Sequence, residues 1–335
     1  MIRSVLLLSA LAVASSVCAQ RHLEVGVSAG VTHYYGDLGN IDGPVQWNSA
    51  RPAMTISFRD FLNNKKRYVT RSITTEARLS WYRIGYDETA PIKGTEVKDL
   101  KNYKRGLSFR NDLVGASGHL VLNAYREPFT PLFQQRFFMY FHIGLGIYHG
   151  RPKADLFRGE QDPANKYYFW EDGTVRDAPR KTPGANVVER DGKFETDLYS
   201  WLTEGGAGAG DPTRTQRFSP WHVGVPMGAG LRVMATRKWS IGLEYCYLMF
   251  MTDMLDDVSD RYATYEEIDA AYESAVDQDL ARYISDPTGW GTSGEVDLRA
   301  SPRGNPALLD SFSYLSLEVS YKFKRSPMRR SYMSL

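Results

Sequence analysis

The chain has 335 residues, with 41 Lys and Arg set against 39 Asp and Glu, a net charge of +2 and 42% hydrophobic residues. That balance excludes a dedicated nucleic-acid binder, which needs a strong basic excess, and it names no charged partner. With cysteine only at positions 18 and 246, a CxxC redox pair and a thiolate zinc site are excluded as well.

The N-terminus reads as an export signal. Arg3 gives a positive start, Val5 to Val13 an apolar run, and Val17-Cys18-Ala19 small residues before a cut, the three parts of a secretory leader. Residues 1–19 are expected to be removed. Acylation of Cys18 would need a Leu and small residues just before it, and Ser15, Ser16 and Val17 stand there instead. Without Cys18, Cys246 has no partner for an intrachain disulfide. After the signal there is no run of about twenty apolar residues that could cross a membrane as a helix.

The mature chain, 20–323, alternates instead. Leu23, Val25, Val27, Ala29 and Val31 fall on one face of a strand and Glu24, Gly26, Ser28, Gly30 and Thr32 on the other, because successive strand side chains point to opposite sides. Met54, Ile56 and Phe58 repeat the pattern against Thr55, Ser57 and Arg59, and Ile73, Ala77, Leu79 and Trp81 against Thr74, Glu76, Arg78, Ser80 and Tyr82. A fourth strand lies around Val114, Ala116, Gly118, Leu120 and Leu122; the alternation slips by one at Leu107 to Arg110, where a bulge is expected. The fifth sets Met139, Phe141, Ile143, Leu145 and Ile147 outward, the sixth Val223, Val225, Met227, Ala229, Leu231 and Val233. The seventh has Ile241, Leu243, Tyr245, Tyr247 and Met249, and the eighth Leu315, Leu317, Val319, Tyr321 and Phe323. An even count suits a single-chain bacterial barrel.

The connections alternate in length. Compact turns are expected at 63–67, 126–136 and 235–238, and long polar segments at 34–51, 87–105, 149–220 and 252–310. Outer-membrane barrels show this, with short periplasmic turns and long external loops. Aromatic residues at strand ends (Tyr34, Tyr35, Trp81, Tyr82, Tyr148, Trp221, Trp239, Tyr314, Phe323) are expected at the two membrane interfaces. A soluble sandwich or lipocalin-like barrel would turn its apolar faces inward and would not need loops so unequal. The fold class is therefore all-β: a membrane-spanning antiparallel up-and-down barrel of about eight strands with long extracellular loops, in the outer membrane of a Gram-negative bacterium.

If apolar faces meet lipid, Glu24, Glu76, Glu244 and Glu318 point into the lumen with Arg59, Arg78, Arg232 and Lys322. Opposite charges equal in number imply a hydrogen-bonded ion network, and inward glycines such as Gly26, Gly30, Gly144, Gly146, Gly228 and Gly230 leave it room. An eight-stranded barrel is filled by its own side chains, which argues against a porin. His142 and His222 read as lumenal hydrogen-bond partners, no histidine spacing makes a metal site, and His149 with Asp155 lacks a GxSxG nucleophile context. No catalytic residue, metal or cofactor is expected.

The acidic run Asp253, Asp256, Asp257 lacks calcium-loop spacing and reads as turn caps. Ile268, Ala271, Ala275, Leu280 and Ile284 predict a short surface helix within 265–284. In the third long loop Tyr167, Tyr168, Phe169 and Trp170 either pack on the barrel mouth or, with Tyr265, form a partner surface. The basic tail 324–335 offers a separate periplasmic contact.

Four short motifs carry a resemblance: Tyr34-Tyr35-Gly36-Asp37-Leu38-Gly39, Arg105-Gly106-Leu107-Ser108-Phe109-Arg110, Leu255-Asp256-Asp257-Val258-Ser259 and Arg303-Gly304-Asn305-Pro306. Together they resemble the PorG-like outer-membrane barrels of Bacteroidota. The resemblance implies a non-enzymatic barrel associated with the type IX secretion system, and no catalytic residues. Expected partners are the bilayer and other outer-membrane or periplasmic proteins of a secretion machine. The competing readings are an accessory subunit of the barrel-assembly or surface-lipoprotein export machinery, and a small transport or enzyme barrel.

Overall fold

A computed structural model describes residues 22–39, 49–61, 72–88, 103–124, 136–201, 203–204, 219–236, 238–290 and 303–324. The expected signal at 1–19, the turn at 63–67, nearly all of the turn at 126–136 and all but the first residue of the basic tail lie outside the described residues.

The first strands are β1 (His22–Tyr35), β2 (Arg51–Phe61), β3 (Ile73–Asp87), β4 (Ser108–Asn123) and β5 (Phe137–His149). The third external segment then contributes β6 (Pro152–Ala154), β7 (Tyr168–Phe169), β8 (Val175–Arg176) and β9 (Thr196–Asp197). The wall resumes with β10 (Trp221–Met234) and β11 (Trp239–Phe250), the fourth segment forms helices α1 (Tyr265–Ala271) and α2 (Ala275–Ser285), and β12 (Ser311–Lys324) comes last.

Each long strand pairs antiparallel with the next. β12 returns to pair with β1, and β3 pairs with both β2 and β4, so the eight-strand ring is closed. Closure satisfies every wall strand on both edges, the condition for a sheet to cross lipid. The apolar face is the outer one: Leu145 is 64% exposed and Leu317 63%, with Val27, Ile56, Leu79 and Leu120 beside them in the same belt. Their strand neighbours Arg59, Glu76 and Ser320 are buried inside. A soluble barrel would reverse these faces, so the wall is a membrane-spanning one.

Strands of 11 to 16 residues reach or exceed the nine to eleven that a tilted strand needs to cross hydrocarbon. The surplus stands above the bilayer at the end carrying the long segments. There β6 adds to β4 through Arg110↔Lys153 and Asn111↔Pro152, and β9 adds to β6. At the opposite end, the turn between β10 and β11 is tied by Thr236, whose Oγ1 accepts from the backbone nitrogens of Lys238 and Trp239 at 3.2 and 3.0 Å.

Three expectations are corrected. The bulge at 107–110 is absent, since β3 and β4 pair in one register from Asp87↔Ser108 to Ile73↔Leu122. The hydrophobic pattern slips there because Phe109 and Leu113 face inward, into an apolar upper lumen. Among the described residues, ladder pairs drop out instead at Pro226: β10 pairs with β5 at Gly224↔Gly146 and next at Met227↔Ile143, as a residue without an N–H requires.

Second, the aromatic girdle is smaller than expected. Trp221, Trp239 and Phe323 are exposed at strand ends, whereas Tyr34, Tyr82, Tyr148 and Tyr314 point into the barrel and are buried. Third, the single helix expected within 265–284 is two. Thr264 opens α1 with a reciprocal cap to Glu267, and Ser274 opens α2 by accepting from Val276 N. Both helices bury a face, through Ile268 on one and Leu280, Ala281 and Ile284 on the other, so they belong to a packed cap.

Candidate functional site

The lumen has two storeys. Near the short-turn end, Arg59 lies fully buried among three carboxylates: its Nε is 2.9 Å from Glu76 Oε2, and Nη1 is 3.2 Å from Glu24 Oε1 and 2.7 Å from Glu318 Oε1. Arg78 bridges Glu76 at 2.6 Å and grips both oxygens of Glu244 at 2.5 and 2.7 Å. Arg232 reaches Glu318 at 3.4 Å and Glu24 at 3.8 Å, with its guanidinium 4.6 Å from the Tyr140 ring. Lys322, the eighth residue of the charged set, stands opposite Glu24 in the β1–β12 register near the strand end and is half-buried.

Close packing explains the glycines beside these groups. A Cβ on Gly26 would sit 2.5 Å from Ser57 Oγ and 3.0 Å from the Glu318 carboxyl, and one on Gly230 would meet the Tyr140 ring at 2.3 Å. His142, Glu244 and Cys246 bring donor atoms within 4.8 Å of one another, a set that could hold a metal. Glu244 is already taken by the Arg78 guanidinium and by the Tyr140 hydroxyl at 2.8 Å, so a cation occupies that seat from within the chain.

Above the ions the lumen is aromatic. Tyr82 packs against Phe312 and Tyr314 at 5.1 and 5.2 Å between centroids, Tyr148 against Phe250 at 5.4 Å, and Tyr34 edge-on against Phe109 at 4.8 Å. Offset and edge contacts of this kind are the favourable ones. They close the barrel beneath its mouth.

At the mouth the four motifs singled out from the sequence converge. Arg105 donates to the carbonyls of Asp37 at 2.8 Å and Arg303 at 2.9 Å and pairs with Glu88. Asp37 Oδ2 in turn accepts from Asn305 N at 2.8 Å, and Arg303 donates to the Asp257 carbonyl. Gly304 is required by closeness, since a Cβ there would stand 2.3 Å from Asp37 Oδ2 and 2.7 Å from the Ser259 carbonyl. Glu204, from the third segment, accepts from Ser259 N and Asp260 N at 2.8 and 3.1 Å. All four external connections are thus tied at one point.

Beneath that knot, Tyr34 holds two carboxyls: its hydroxyl is 2.6 Å from Asp256 Oδ2 and 2.8 Å from Asp310 Oδ1. A phenol has one proton to give, so the two carboxyls share it, and two buried acids this close favour their neutral forms. Consistently, burial pushes Asp256 up to about 7 and raises Asp310 well above the ordinary range, the Asp256 charge adding to the latter. Burial also raises Asp253 and Asp257 to about 8. Asp256 Oδ1 caps Val258 N at 3.0 Å and Asp257 accepts from Thr203 Oγ1 at 2.6 Å. The carboxylates of Asp253, Asp256 and Asp257 do not gather as a trio at metal-ligand spacing.

The third and fourth segments form one cap. The Tyr283 hydroxyl of α2 lies 2.7 and 2.9 Å from the carbonyls of Leu156 and Tyr167, which share its proton, Lys166 pairs with Asp279 at 2.6 Å, and Arg180 stacks on Trp290 at 3.7 Å. Arg190 pins the cap to the wall through both oxygens of Asp87 and through Ser108 Oγ. The cap has its own small core of Tyr103, Tyr167, Phe169 and Val175. The proposed partner surface is corrected accordingly: Tyr167 and Phe169 are buried, Tyr168, Trp170 and Tyr265 half-buried, because a cap this size needs an interior. Trp170 stacks under Arg176 at 4.1 Å and Tyr265 under Arg282 at 4.8 Å. His149 packs edge-on against Trp221 at 4.8 Å.

No protein-family model and no curated protein matches the chain. Among solved structures it is similar to Ail, the attachment invasion locus protein of Yersinia pestis, in complex with the heparin analogue sucrose octasulfate. The identity is 8%, with 91% of this chain and 99% of that one covered and a TM-score of 0.33. It is also similar to Neisserial surface protein A, at 10% identity, 90% and 97% coverage and a TM-score of 0.33. A major outer membrane protein from Thermus thermophilus is similar at 9% identity, 90% and 99% coverage and a TM-score of 0.33.

Proposed function

We propose that this chain is a non-catalytic outer-membrane subunit of a protein secretion assembly, of the type IX kind, and that it works as a rigid pedestal presenting its external cap to partner proteins. One observation carries the reading: the lumen is filled by ions below and rings above, while the external segments form a cored and hydrogen-bonded cap larger than wall stability needs. A filled barrel is a poor conduit, and ordered loops on a rigid scaffold are where binding concentrates. The meeting of the four motifs that carry the PorG-like resemblance supports the same reading, since those residues build the cap's base.

Affinity purification of the tagged protein in mild detergent tests it, comparing the native chain with a variant bearing Val187→Asp and Val276→Asp. These two apolar side chains are 62% and 55% exposed on the cap, so their replacement spares its core. Co-purification of secretion subunits with the native chain and their loss from the variant is expected. Retrieval of barrel-assembly or lipoprotein-export subunits instead, or of no partner, would sink the proposal.

A further inference from the structure

The cap contains an acidic corner that the mouth knot does not use. Asp155 follows β6, and Asp191 and Glu195 come from a tight connection that turns at Gly192 with φ 69° and holds Phe194 at φ 54°. A bulky residue in the left-handed region is uncommon and marks a backbone held by its surroundings. One carboxylate oxygen from each of Asp155, Asp191 and Glu195 lies within 4.8 Å of the other two.

The protein's own donors satisfy part of this corner. Glu195 Oε1 accepts from the backbone nitrogens of Leu156 and Phe157, both at 2.9 Å, and from Thr196 Oγ1 at 2.9 Å. Asp155 Oδ2 accepts from Gly192 N at 2.9 Å, and Asp191 accepts from Lys193 N at 3.1 Å and Gly159 N at 3.0 Å. Asp155 Oδ1 and Glu195 Oε2 are buried with no hydrogen-bond partner, and Asp155 as a residue is 2% exposed.

Carboxylate oxygens hidden from water without a donor are costly. Burial, together with the charges of Glu195 and Asp191, pushes the Asp155 carboxyl up to about 6 against the pull of Arg190 and Gly192 N. The nearby cations cover only part of the corner: Arg190, with Nη1 on Asp87, pairs with Asp155 Oδ2 at 3.5 Å, and Lys193, 63% exposed, pairs with the outer acid Asp191 at 3.3 Å, which leaves Asp155 Oδ1 and Glu195 Oε2 unpartnered.

We propose that Asp155, Asp191 and Glu195 form a calcium site in the external cap, with Asp155 and Glu195 as the inner ligands and the exposed Asp191 as the open side that admits the ion and its waters. All donors are hard oxygens, and they lie no farther apart than oxygens bound at about 2.3–2.6 Å to one ion can. A site on irregular backbone suits the variable six-to-eightfold shell of calcium better than the strict octahedron of magnesium. Bound, the ion ties the 191–195 turn to the start of the cap at Asp155 and relieves the repulsion among the three acids. Weak affinity, on the order of 10⁻⁴ to 10⁻³ M as in extracellular modules, is sufficient outside a cell.

The full-length protein in detergent, stripped with chelator, is titrated with Tb³⁺ under excitation of its aromatic residues and then with Ca²⁺ as competitor. Tyr167 is a built-in sensitiser, its hydroxyl accepting from Asp191 N at 3.0 Å. Saturable emission displaced by Ca²⁺ is expected, weakened by about tenfold or more in Asp155→Asn and in Asp191→Asn and unchanged in the exposed control Asp172→Asn. Asp191 is exposed, so its variant keeps the test sound where Asp155→Asn loosens the cap. Absent binding, or binding that survives Asp191→Asn at full strength, overturns the site, and displacement by Mg²⁺ as readily as by Ca²⁺ overturns its assignment to calcium.

Discussion

Arg59 and Glu318 stand 259 positions apart in the chain and meet inside the barrel, joined by two guanidinium–carboxylate hydrogen bonds, one of 2.7 Å. Glu24 and Glu76 share the same guanidinium. Removing it would leave three buried carboxylates short of a cation, which is far costlier than never having built the pair. Arg59→Met should destabilise the barrel by about 3 to 5 kcal/mol, with part of the loss recovered in Arg59→Met/Glu318→Gln. Urea titrations of protein refolded into vesicles read both, and a single-variant cost under about 1 kcal/mol would show that the network is ornamental.

The wall's two faces give opposite responses at adjacent positions. Leu145 is 64% exposed on the lipid side, so Leu145→Arg near the midplane should cost about 2 to 4 kcal/mol. At Gly146 a Cβ would meet the Tyr148 ring at 2.7 Å, and Gly146→Ser should act through lumen packing, insensitive to lipid thickness. Vesicle folding in lipids of two chain lengths distinguishes the two. Equal and negligible costs would mean the faces are misassigned.

The knot at the mouth depends on Arg105, which touches Asp37, Glu88 and Arg303 together. Arg105→Leu should open the cap to protease at 36–39 and 303–306 while the wall keeps its folded electrophoretic mobility, because the lost bonds are charge-assisted and worth about 1.5 to 3 kcal/mol each. Limited proteolysis of intact cells checks it. Unchanged cutting would show that the knot does not hold the cap.

Alkaline pH should loosen the same region. Burial raises Asp253, Asp256 and Asp257 to about 8, 7 and 8, and Asp310 in the same direction, whereas an unfolded Asp loses its proton near 4. Asp37 and Glu204 add repulsion, and Arg303 opposes it at Asp256 and Asp257. Between those values the folded cap binds more protons than the unfolded one, so its stability falls as pH rises: it is fullest below about 4 and is lost through about 7 to 8. Hydrogen exchange at 253–259, corrected for the intrinsic rate, should therefore accelerate toward alkaline pH, and Asp253→Asn should flatten the profile. A flat profile in the native chain would contradict the raised values.

The wall was legible because lipid and lumen impose a period of two over each long strand, and a residue such as Leu145 or Leu317 declares its face by chemistry alone. The upper storey was not. Above the bilayer the wall is covered on both sides, so Phe109 and Leu113 sit inward and break the lipid pattern, and Tyr82 and Tyr314 look like girdle residues although they plug the lumen. Charge parity among the inward acids and bases pointed to ions, but which guanidinium meets which carboxylate depends on strand registers. The knot was hidden for another reason. Arg105, Asp37 and Arg303 come from separate connections, and short motifs reveal their partnership only once closure brings those connections to one rim.

The pairing of β1 with β12 along 14 residues makes the chain a belt whose buckle joins its two ends. Hairpins along the belt can zip locally, but this last seam must gather segments nearly the whole chain apart, a closure whose entropic cost and long range make it late and slow. Until β12 arrives the sheet has two open edges, each a template for a foreign strand. A chain shortened before Ser311 therefore loses more than one eighth of its wall. It becomes an edge-bearing sheet that no longer qualifies for a bilayer, and the final strand works as a proof of completeness for everything synthesised before it.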